Sequence, residues 1–507
     1  MAFLTIDLGS SELKVASYDM DGACLTAASM EIEGVHIDGS RAELDPESLW
    51  RAVAKGIRAV SRQSKEPLQG ACISSHGESF VPLDRQGRAL GNVILNVDSR
   101  AEREMTEFAE AFGRDSLYQQ TGLPPHPMYT LVKIAWLRKN LPHLFAQVGR
   151  FVCLEDYIQH RLGIEPAISS PLASRTLGLD VHLNQWADRL LNFAGISSSL
   201  LSPVQPSSTA VGTAAPAVAQ ELGLPPGVVW CSGGHDQACC VIGAGAQGPG
   251  SVADGTGTFE CMSIPLPSPL VTQTTLAANL PCERHAVSGM FLTLAYGPGG
   301  IALKWLRGLW GNAEGASTTA GGRSAYERLL EDLPAQPTGL FFFPYLLGTG
   351  TPWMDSHARG AILGTTSKTS MRDLVKAAME GVSYQMRWNL EILQGIGIPI
   401  DRIFAVGGGA KSEAWLQLKA DIFQRPVIAV PGEASSRGAA ICAAVGLGAY
   451  RNWQEAIAAM VKPGRVFEPR IAVQAVYCEL FEQYKELGSR LFGHQSPAVA
   501  ARPAQRS

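Results

Sequence analysis

The sequence lacks a surplus of positive charge: 42 lysines and arginines stand against 46 aspartates and glutamates, for a formal net charge of −4. A nucleic-acid surface needs clustered Lys and Arg to neutralise phosphates, so we expect a small-molecule partner and no nucleic acid. No segment is strongly biased for long, which excludes a disordered or fibrous protein. The 507 residues are 46% hydrophobic, and the length predicts two to four folded domains.

A long hydrophobic run is also missing. The longest apolar stretch, near Leu340–Leu347, contains Pro344 and is too short to cross a bilayer. The segment Met1–Asp7 has no basic residues, and Asp7 interrupts its apolar run at once, unlike a signal peptide. We therefore expect a cytoplasmic protein that makes no contact with a membrane.

The ten cysteines lack the paired spacing of metal sites. Cys239 and Cys240 are adjacent, which suits neither a normal disulfide nor a zinc site. We expect reduced thiols, buried in the core of a cytosolic protein.

Two short turns of small and hydroxylated residues open the two halves of the chain. Phe3–Asp7 and Val15–Tyr18 are typical of two strands joined by a turn at Leu8–Ser11. A similar strand-like segment at Ser251–Cys261 is interrupted at Asp254–Thr258. The recurrence predicts a duplicated architecture with a cleft between the halves.

A glycine-rich segment, Gly243–Gly250, divides the two halves and is flexible enough for a hinge. We therefore place an N-terminal domain at 1–245 and a C-terminal domain at 246–492. The final stretch, 493–507, is rich in Ala, Pro and Gln, and we expect it to be a poorly ordered tail.

Helices and strands alternate in the second half. Apolar residues recur at helical spacing from Met371 to Leu393, with Ser370 and Asp373 as the start signal and Gly395 as the stop. The elements predicted after it are a strand at Arg402–Val406, three glycines, a helix at Ser412–Phe423, a strand at Val427–Val430 and a helix at Ala434–Leu447. This alternation predicts an α/β domain.

Two glycine-rich loops invite a nucleotide interpretation. Gly243–Gly248 fits G-x-G-x-x-G, but it follows a helix-like segment and precedes Pro249, so we reject a dinucleotide site. Gly407–Ser412 lies between a strand and a helix, although Ala410 excludes a P-loop. Its glycines would let a ligand lie against the backbone near a helix N-terminus, and a tight turn without a ligand is the alternative.

The turn from Asp7 to Lys14 carries the groups that a metal–phosphate ligand needs. Backbone amides and two hydroxyls can donate, Lys14 supplies positive charge, and Asp7 can hold Mg²⁺ directly or through water. A plain hairpin would explain Gly9 but not this polar cluster.

Ser232–Gln237 places an acidic residue in a glycine-flanked turn after an apolar strand. Asp236 stands where an open α/β sheet would carry a general base, and capping of the following helix is the alternative role. On these residues alone the cap is favoured, and His235 is interpreted as structural.

The motifs together resemble those of the FGGY carbohydrate kinase family, in order from about residue 3 to residue 450. They are Asp7-x-Gly9-Ser10-Ser11, Ser74-Ser75-His76-Gly77-Glu78, Asp98-Ser99-Arg100, Met128-x-Thr130-x-x-Lys133-Ile134-x-Trp136-Leu137, Gly234-His235-Asp236-Gln237, Gly255-Thr256-Gly257-Thr258, and Gly407-Gly408-Gly409-Ala410 with Trp415 and Asp421. Each motif alone is weak evidence for the family, but seven motifs in the same order are a specific match.

The resemblance implies an α/β fold of two actin-like (ribonuclease H-like) ATPase domains with a cleft between them. It implies phosphorylation of a small sugar or polyol, a ketose or alditol, with ATP and Mg²⁺. Asp236 would be the general base, and Asp7 and Asp236 would hold the metal. The implied phosphate contacts are Ser10, Ser11, Lys14, Gly255, Thr256 and Gly300, and the adenosine neighbours are Gly409, Ala410 and Glu413. The implied substrate contacts are Glu78 and Gln237, with His76 and Asp98 as neighbouring candidates.

Four positions depart from the family pattern. Asn96 replaces the usual tryptophan and Ser169 an aspartate. Gly77 and Met128 replace an arginine and a tyrosine of glycerol kinases. Because of these departures, the resemblance does not identify which sugar or polyol is phosphorylated.

Two other classes of protein remain as alternatives. One is an actin/Hsp70-like nucleotide switch or inactive kinase relative, which would have no need of a base at Asp236. The other is a dehydrogenase using the triple-glycine loop. The oligomeric state is not readable from the residues, and a homodimer stays an option.

Overall fold

The computed structural model describes residues 1–9, 12–313, 330 and 332–494. The strands up to residue 245 are β1 (Ala2–Leu8), β2 (Glu12–Asp19), β3 (Cys24–Glu31), β4 (Val35–Asp38), β5 (Arg41–Leu44), β6 (Leu68–Ser75), β7 (Phe80–Asp84), β8 (Val93–Ile94), β9 (Val148–Cys153), β10 (Ile168–Ser169), β11 (Leu179–Asp180), β12 (Gln185–Trp186), β13 (Val204–Gln205), β14 (Ala210–Thr213) and β15 (Val229–His235). The helices of this half are α1 (Pro46–Gln63), α2 (Glu102–Phe112), α3 (Arg114–Thr121), α4 (Thr130–Asn140), α5 (Pro142–Phe145), α6 (Leu154–Arg161), α7 (Ser170–Ser174), α8 (Asp188–Ala194), α9 (Pro216–Leu222) and α10 (Asp236–Ala244).

Within the described residues, the second half contains fewer strands and longer helices than the first. Its strands are β16 (Gly250–Thr256), β17 (Phe259–Leu266), β18 (Cys282–Arg284), β19 (Phe291–Pro298), β20 (Phe341–Phe343), β21 (Ala361–Leu363), β22 (Ile400–Gly407), β23 (Val427–Ala429) and β24 (Val466–Phe467). Its helices are α11 (Gln273–Ala277), α12 (Ile301–Ala313), α13 (Met371–Gly395), α14 (Glu413–Phe423), α15 (Ala434–Gly446), α16 (Trp453–Met460) and α17 (Ile471–Phe492).

Two mixed sheets repeat one arrangement of strands. In the first, β1 and β2 form an antiparallel hairpin, β3 continues beyond β2, and β6 and β15 follow as parallel neighbours on the other side of β1. In the second, β16 and β17 form the hairpin and β19 continues beyond β17. On the other side of β16, β22 pairs with it in parallel and β23 pairs with β22 in parallel. The duplicated α/β architecture predicted from the two turns is therefore confirmed.

Local sequence explains the main elements. The first five residues of β1, Ala2–Ile6, are all buried, as expected for a strand covered on both faces. Helix α13 begins with a capping box in which Ser370 and Asp373 bond each other's backbone amides, as their spacing predicts. It ends at Gly395, the predicted stop, and its apolar stripe is buried in the core of the second half.

Helices α10 and α15, one from each half, touch through their backbones. A Cβ on Gly243 would lie 1.9 Å from the carbonyl oxygen of Ala434, and a Cβ on Gly438 would lie 1.9 Å from that of Cys239. The expected hinge at Gly243–Gly250 is therefore too long. Its first two residues belong to α10, and the chain leaves the helix at Gly245, which has a φ of +72°.

The remaining expectations concern thiols, membranes and the tail. All ten cysteines are free, and most are buried. Across the described residues, no helix has both the length and the apolar character to cross a membrane. The stretch Leu340–Leu347 contains the short strand β20 instead. Of the expected tail, 495–507 lie outside the described residues.

Candidate active site

The carboxyl ends of three parallel strands meet at one edge of the first sheet. Leu8 at the end of β1 pairs with Ser75 at the end of β6, and Ser75 pairs with His235 at the end of β15. This register brings Asp7 and Asp236, the first residue of α10, to the same edge. Open α/β sheets bind their ligands at such edges.

Asp7 and Asp236 influence each other electrostatically. Burial raises the pKa of Asp7 to about 7, and the negative charge of Asp236 adds to the rise. A hydrogen bond with Ser74 and the charge of Lys14 act in the opposite direction. Two mutually repelling carboxylates suit a divalent cation, because Mg²⁺ takes one or two carboxylates and completes its shell with phosphate and water oxygens. The donor set therefore fits Mg²⁺.

Asp236 begins α10 but is not its N-cap. The N-cap is His235, with φ −57° and ψ 136°, so the capping interpretation of Asp236 is not supported. The Asp236 side chain is 22% exposed, and its Oδ1 lies 3.2 Å from Nε2 of His235. The carboxylate can therefore be reached by a ligand at the sheet edge.

A chain of buried ion pairs leads away from Asp236. Nδ1 of His235 lies 2.7 Å from Oε1 of Glu283, whose Oε2 accepts a hydrogen bond from Nη1 of Arg175 at 3.2 Å. Nε of Arg175 donates to Oε1 of Glu78 at 2.6 Å. Glu283 belongs to β18 of the second half, and the other members belong to the first. We call these five residues the acceptor-side cluster.

The charges of three members of the acceptor-side cluster, His235, Glu283 and Arg175, are favoured by their ion partners. Burial opposes the charged imidazole, but the charges of Glu283 and Asp236 outweigh burial and raise the pKa of His235. Burial likewise opposes the charge of Glu283, whose pKa is nevertheless lowered by His235 and Arg175. The pKa of Arg175 is raised against burial by its two carboxylate partners. Buried charges that are paired in this way avoid the cost of an isolated ion.

Sequence reasoning missed Arg175 and Glu283 and interpreted His235 as structural. No local motif marks Glu283, because its partners lie in the other half of the chain. Gly77 offered a signal for Arg175: a Cβ there would lie 2.8 Å from the Cβ of Arg175, so glycine leaves the space that this side chain fills. The missing arginine at position 77 could have prompted a search for a cation elsewhere.

Glu78 is held in an unusual backbone conformation. Its φ of +64° is in the left-handed region, which is uncommon for residues other than glycine and occurs at functional sites. Its carbonyl accepts a hydrogen bond from Oγ1 of Thr130 at 3.0 Å. The ring of Tyr129 lies 5.8 Å from the guanidinium carbon of Arg175, the ion partner of Glu78. The glutamate is thus fixed by both its backbone and its side chain.

Both ring nitrogens of His76 contact other atoms of the protein. Its Nδ1 lies 3.1 Å from the carbonyl oxygen of Leu8 and its Nε2 lies 2.8 Å from Oγ of Ser79. Burial lowers the pKa of the ring, which favours the neutral form. His76 therefore ties the end of β1 to the loop after β6, and its contact with a substrate stays a prediction.

Asp98 is also occupied by the protein itself. Oδ2 accepts a hydrogen bond from the amide of Ala42 at 2.7 Å, and Nε of Arg100 lies 2.9 and 3.0 Å from its two oxygens. The side chain is fully buried and bonded within the protein, and its contact with a substrate stays a prediction. Gln237 differs: Oε1 accepts a hydrogen bond from Oγ of Ser263 at 3.0 Å, which leaves its amide group for a ligand.

Three loops predicted to contact the nucleotide meet at the edge of the second sheet. Gly255–Thr256 end β16 beside Gly407, the last residue of the parallel strand β22. A Cβ on Gly409 would lie 2.7 Å from that of Thr256, so the triple-glycine loop lies directly against this strand end. The amide of Gly300 donates to the carbonyl of Gly257 at 2.8 Å, which fixes the third loop.

A buried lysine forms hydrogen bonds and ion pairs with residues at this edge of the sheet. Nζ of Lys419 lies 2.6 Å from Oδ2 of Asp254, 2.6 Å from Oγ1 of Thr256 and 3.1 Å from Oε1 of Glu260. Burial, with the charge of Asp254, raises the pKa of Glu260. The Thr256 hydroxyl is therefore held by the protein, and its neighbouring backbone remains for a phosphate. We call Lys419, Asp254, Thr256 and Glu260 the lysine cluster, which sequence reasoning missed.

The other predicted nucleotide residues are spread around the two edges. Lys14 pairs with Glu433 of the second half, Nζ to Oε2, at 3.0 Å. Ala410 lies in a short 3₁₀ turn, and Glu413 is exposed and pairs with Arg465 at 2.8 Å. The predicted phosphate contacts Ser10 and Ser11 lie outside the described residues.

Comparison with known proteins finds two matching family models that together span most of the chain. The N-terminal domain of the FGGY family of carbohydrate kinases matches residues 2–243, and its C-terminal domain matches residues 254–447. The first model ends at residue 243 and the second begins at residue 254.

Individual relatives match over nearly the full chain. The xylulose kinase of Bacillus subtilis (strain 168) is 28% identical over 492 residues, covering 95% of this chain and 95% of the relative. The gluconokinase of the same organism is 28% identical over 451 residues, covering 86% of each chain. The crystal structure of ligand-bound xylulose kinase from Lactobacillus acidophilus superimposes with a TM-score of 0.85 at 23% identity, covering 97% of this chain and 98% of the other. The last match establishes the common fold.

Proposed function

Because the chain belongs to the FGGY family of carbohydrate kinases, we propose that it transfers the γ-phosphoryl group of ATP to a hydroxyl of a small sugar or polyol, with Asp236 as the general base. The dehydrogenase alternative is set aside by the family. The observation that carries the proposal is the meeting of Asp7 and Asp236 at the carboxyl ends of β1 and β15.

In the proposed reaction, Asp236 accepts the proton of the attacking hydroxyl. The hydroxyl oxygen forms a bond to the γ-phosphorus, the bond from that phosphorus to the bridging oxygen breaks, and ADP leaves. A carboxylate suits this role because phosphoryl transfer requires mainly positioning and charge neutralisation. His235 orients the base by holding one of its oxygens, which leaves the other for the acceptor.

Asp7 and Asp236 would hold Mg²⁺, which when bound neutralises charge on the transferring phosphoryl group. The backbone of Gly255–Thr256 and of Gly300 would receive the phosphates, because glycine leaves the main chain open to a ligand. Gly409, Ala410 and Glu413 are proposed to border the adenosine.

The test is release of ADP with Mg²⁺–ATP in the presence of candidate acceptors. The relatives named for xylulose and gluconate make these two the first to try. Asp236→Ala should lower kcat by about 10²–10⁴-fold, the usual contribution of a positioned base, while ATP binding is retained.

A matched control separates the base from an effect on the helix. Asp188 begins α8 as Asp236 begins α10, so Asp188→Ala removes a carboxylate from an equivalent position away from the site. Asp188→Ala should keep full turnover. Near wild-type turnover in Asp236→Ala would refute the assignment of the base, and ATP binding without any acceptor-dependent turnover would favour a nucleotide switch.

A further inference from the structure

The guanidinium of the acceptor-side cluster is already shared between two carboxylates. Arg175 donates through Nε to Glu78 and through Nη1 to Glu283, and a second contact joins its Nη2 to Glu78. Its exposed fraction is 9%, and those of the two glutamates are 3% and 0%. Such a cation has little capacity left for the carboxylate of a ligand.

The charge balance of the cluster is negative. Glu78, Glu283 and Asp236 supply three carboxylates, and Arg175 and His235 supply at most two cations. Asp7 and the phosphates of ATP would add negative charge from the nucleotide side. An anionic acceptor would therefore enter a site that repels it.

The other nearby cations within the described part of the chain are also engaged. Lys133 is fully buried, and Nζ donates to the carbonyl of Leu95 at 2.8 Å. Arg100 pairs with Asp98, and Lys14 pairs with Glu433. Each of these three cations is thus already held by a partner within the protein.

From this arrangement we infer that Glu78 and Glu283 determine charge specificity: by neutralising Arg175, they make the site accept uncharged sugars or polyols and reject sugar acids such as gluconate. This inference rests on the proposed kinase function and narrows its acceptor. Glu283 acts from the second half of the chain, so the specificity requires both halves.

The test compares acceptors of equal length that differ in charge. We would measure kcat/KM with xylulose, xylitol and glucitol against xylonate and gluconate. Uncharged acceptors should be favoured by at least about 100-fold, because uncompensated like charges in such a site cost several kcal/mol. A sugar acid used equally well or better would overturn the inference and leave the kinase proposal intact. Failure to turn over any acceptor would overturn the proposed function, and the inference with it.

Two variants test the residues themselves. Glu283→Gln and Glu78→Gln each keep a hydrogen-bonding group but release positive charge on Arg175, so each should raise the ratio of kcat/KM for gluconate to that for glucitol by about tenfold. Because both acceptors use the same base, any effect on Asp236 cancels in this ratio. An unchanged ratio in both variants, each shown to be folded by thermal unfolding, would overturn the inference.

Glu380 provides the matched control. It is a buried carboxylate of α13, hydrogen-bonded to Thr338 and Tyr477 and outside the acceptor-side cluster. Glu380→Gln therefore removes a buried charge without touching Arg175, and should leave the acceptor ratio at the wild-type value. An equal rise in the Glu380→Gln ratio would refute the specific role of the cluster.

Discussion

Replacing Lys419 with methionine would remove the ammonium group that pairs with both Asp254 and Glu260. All three side chains are at most 1% exposed, so water cannot take over the lost contacts. Breaking a buried ion pair by removing one partner costs about 3–5 kcal/mol. At roughly 2–4 °C per kcal/mol for a domain of this size, the Tm should fall by about 6–20 °C.

The same substitution should weaken nucleotide binding selectively. Lys419 also donates to Oγ1 of Thr256, which ends the strand beside the triple-glycine loop. Loss of this bond leaves the strand end less fixed, so the KM for ATP should rise while the KM for the acceptor stays near the wild-type value. Steady-state kinetics with each substrate varied in turn, together with a thermal unfolding scan, would measure both effects.

Two further variants serve as controls for this prediction. Lys485→Met breaks partly exposed pairs with Glu391 and Glu482, which should cost only about 0–1 kcal/mol. The triple variant Lys419→Met, Asp254→Asn, Glu260→Gln leaves no unpaired charge and should recover much of the lost stability. A Tm for Lys419→Met as high as that of Lys485→Met, or equal rises in both KM values, would refute the reasoning.

Two further predictions concern stability. Gly243→Ala should destabilise the protein by several kcal/mol in a denaturant titration, because its Cβ would lie 1.9 Å from the carbonyl oxygen of Ala434. Gly308→Ala is the control. A Cβ at Gly308 would have no atom within 4 Å, so this substitution should be neutral or slightly stabilising. Burial lowers the pKa of His285 to about 4, so the unfolded chain binds the extra proton and stability falls as pH drops from about 6.5 towards 4. The loss of unfolding free energy between pH 7 and pH 5 should be smaller in His285→Asn than in the wild type. An equal loss in the two proteins would contradict the lowered pKa of His285.

Local signals account for what the sequence predicted well. The β1–β2 hairpin and the capping box of α13 depend on residues only a few positions apart. The parallel pairing of β1, β6 and β15 brings Asp7 and Asp236 to the same edge of the sheet.

Long-range pairing accounts for what the sequence did not predict. Arg175 and Glu283 are 108 residues apart, and Lys419 and Asp254 are 165 apart. No periodicity or spacing encodes such contacts, because they depend on how the sheets pack. Asp98 presents a related difficulty, because a buried polar residue that serves the fold looks the same in sequence as one that serves a ligand.

Glu283 ties the geometry of catalysis to the relative position of the two halves. Any opening that separates it from Arg175 also withdraws the partner of Nδ1 of His235, whose other nitrogen faces Asp236. An open molecule would hold its base in a poorer orientation than a closed one. The cluster would then discourage wasteful hydrolysis of ATP by water whenever the halves are apart.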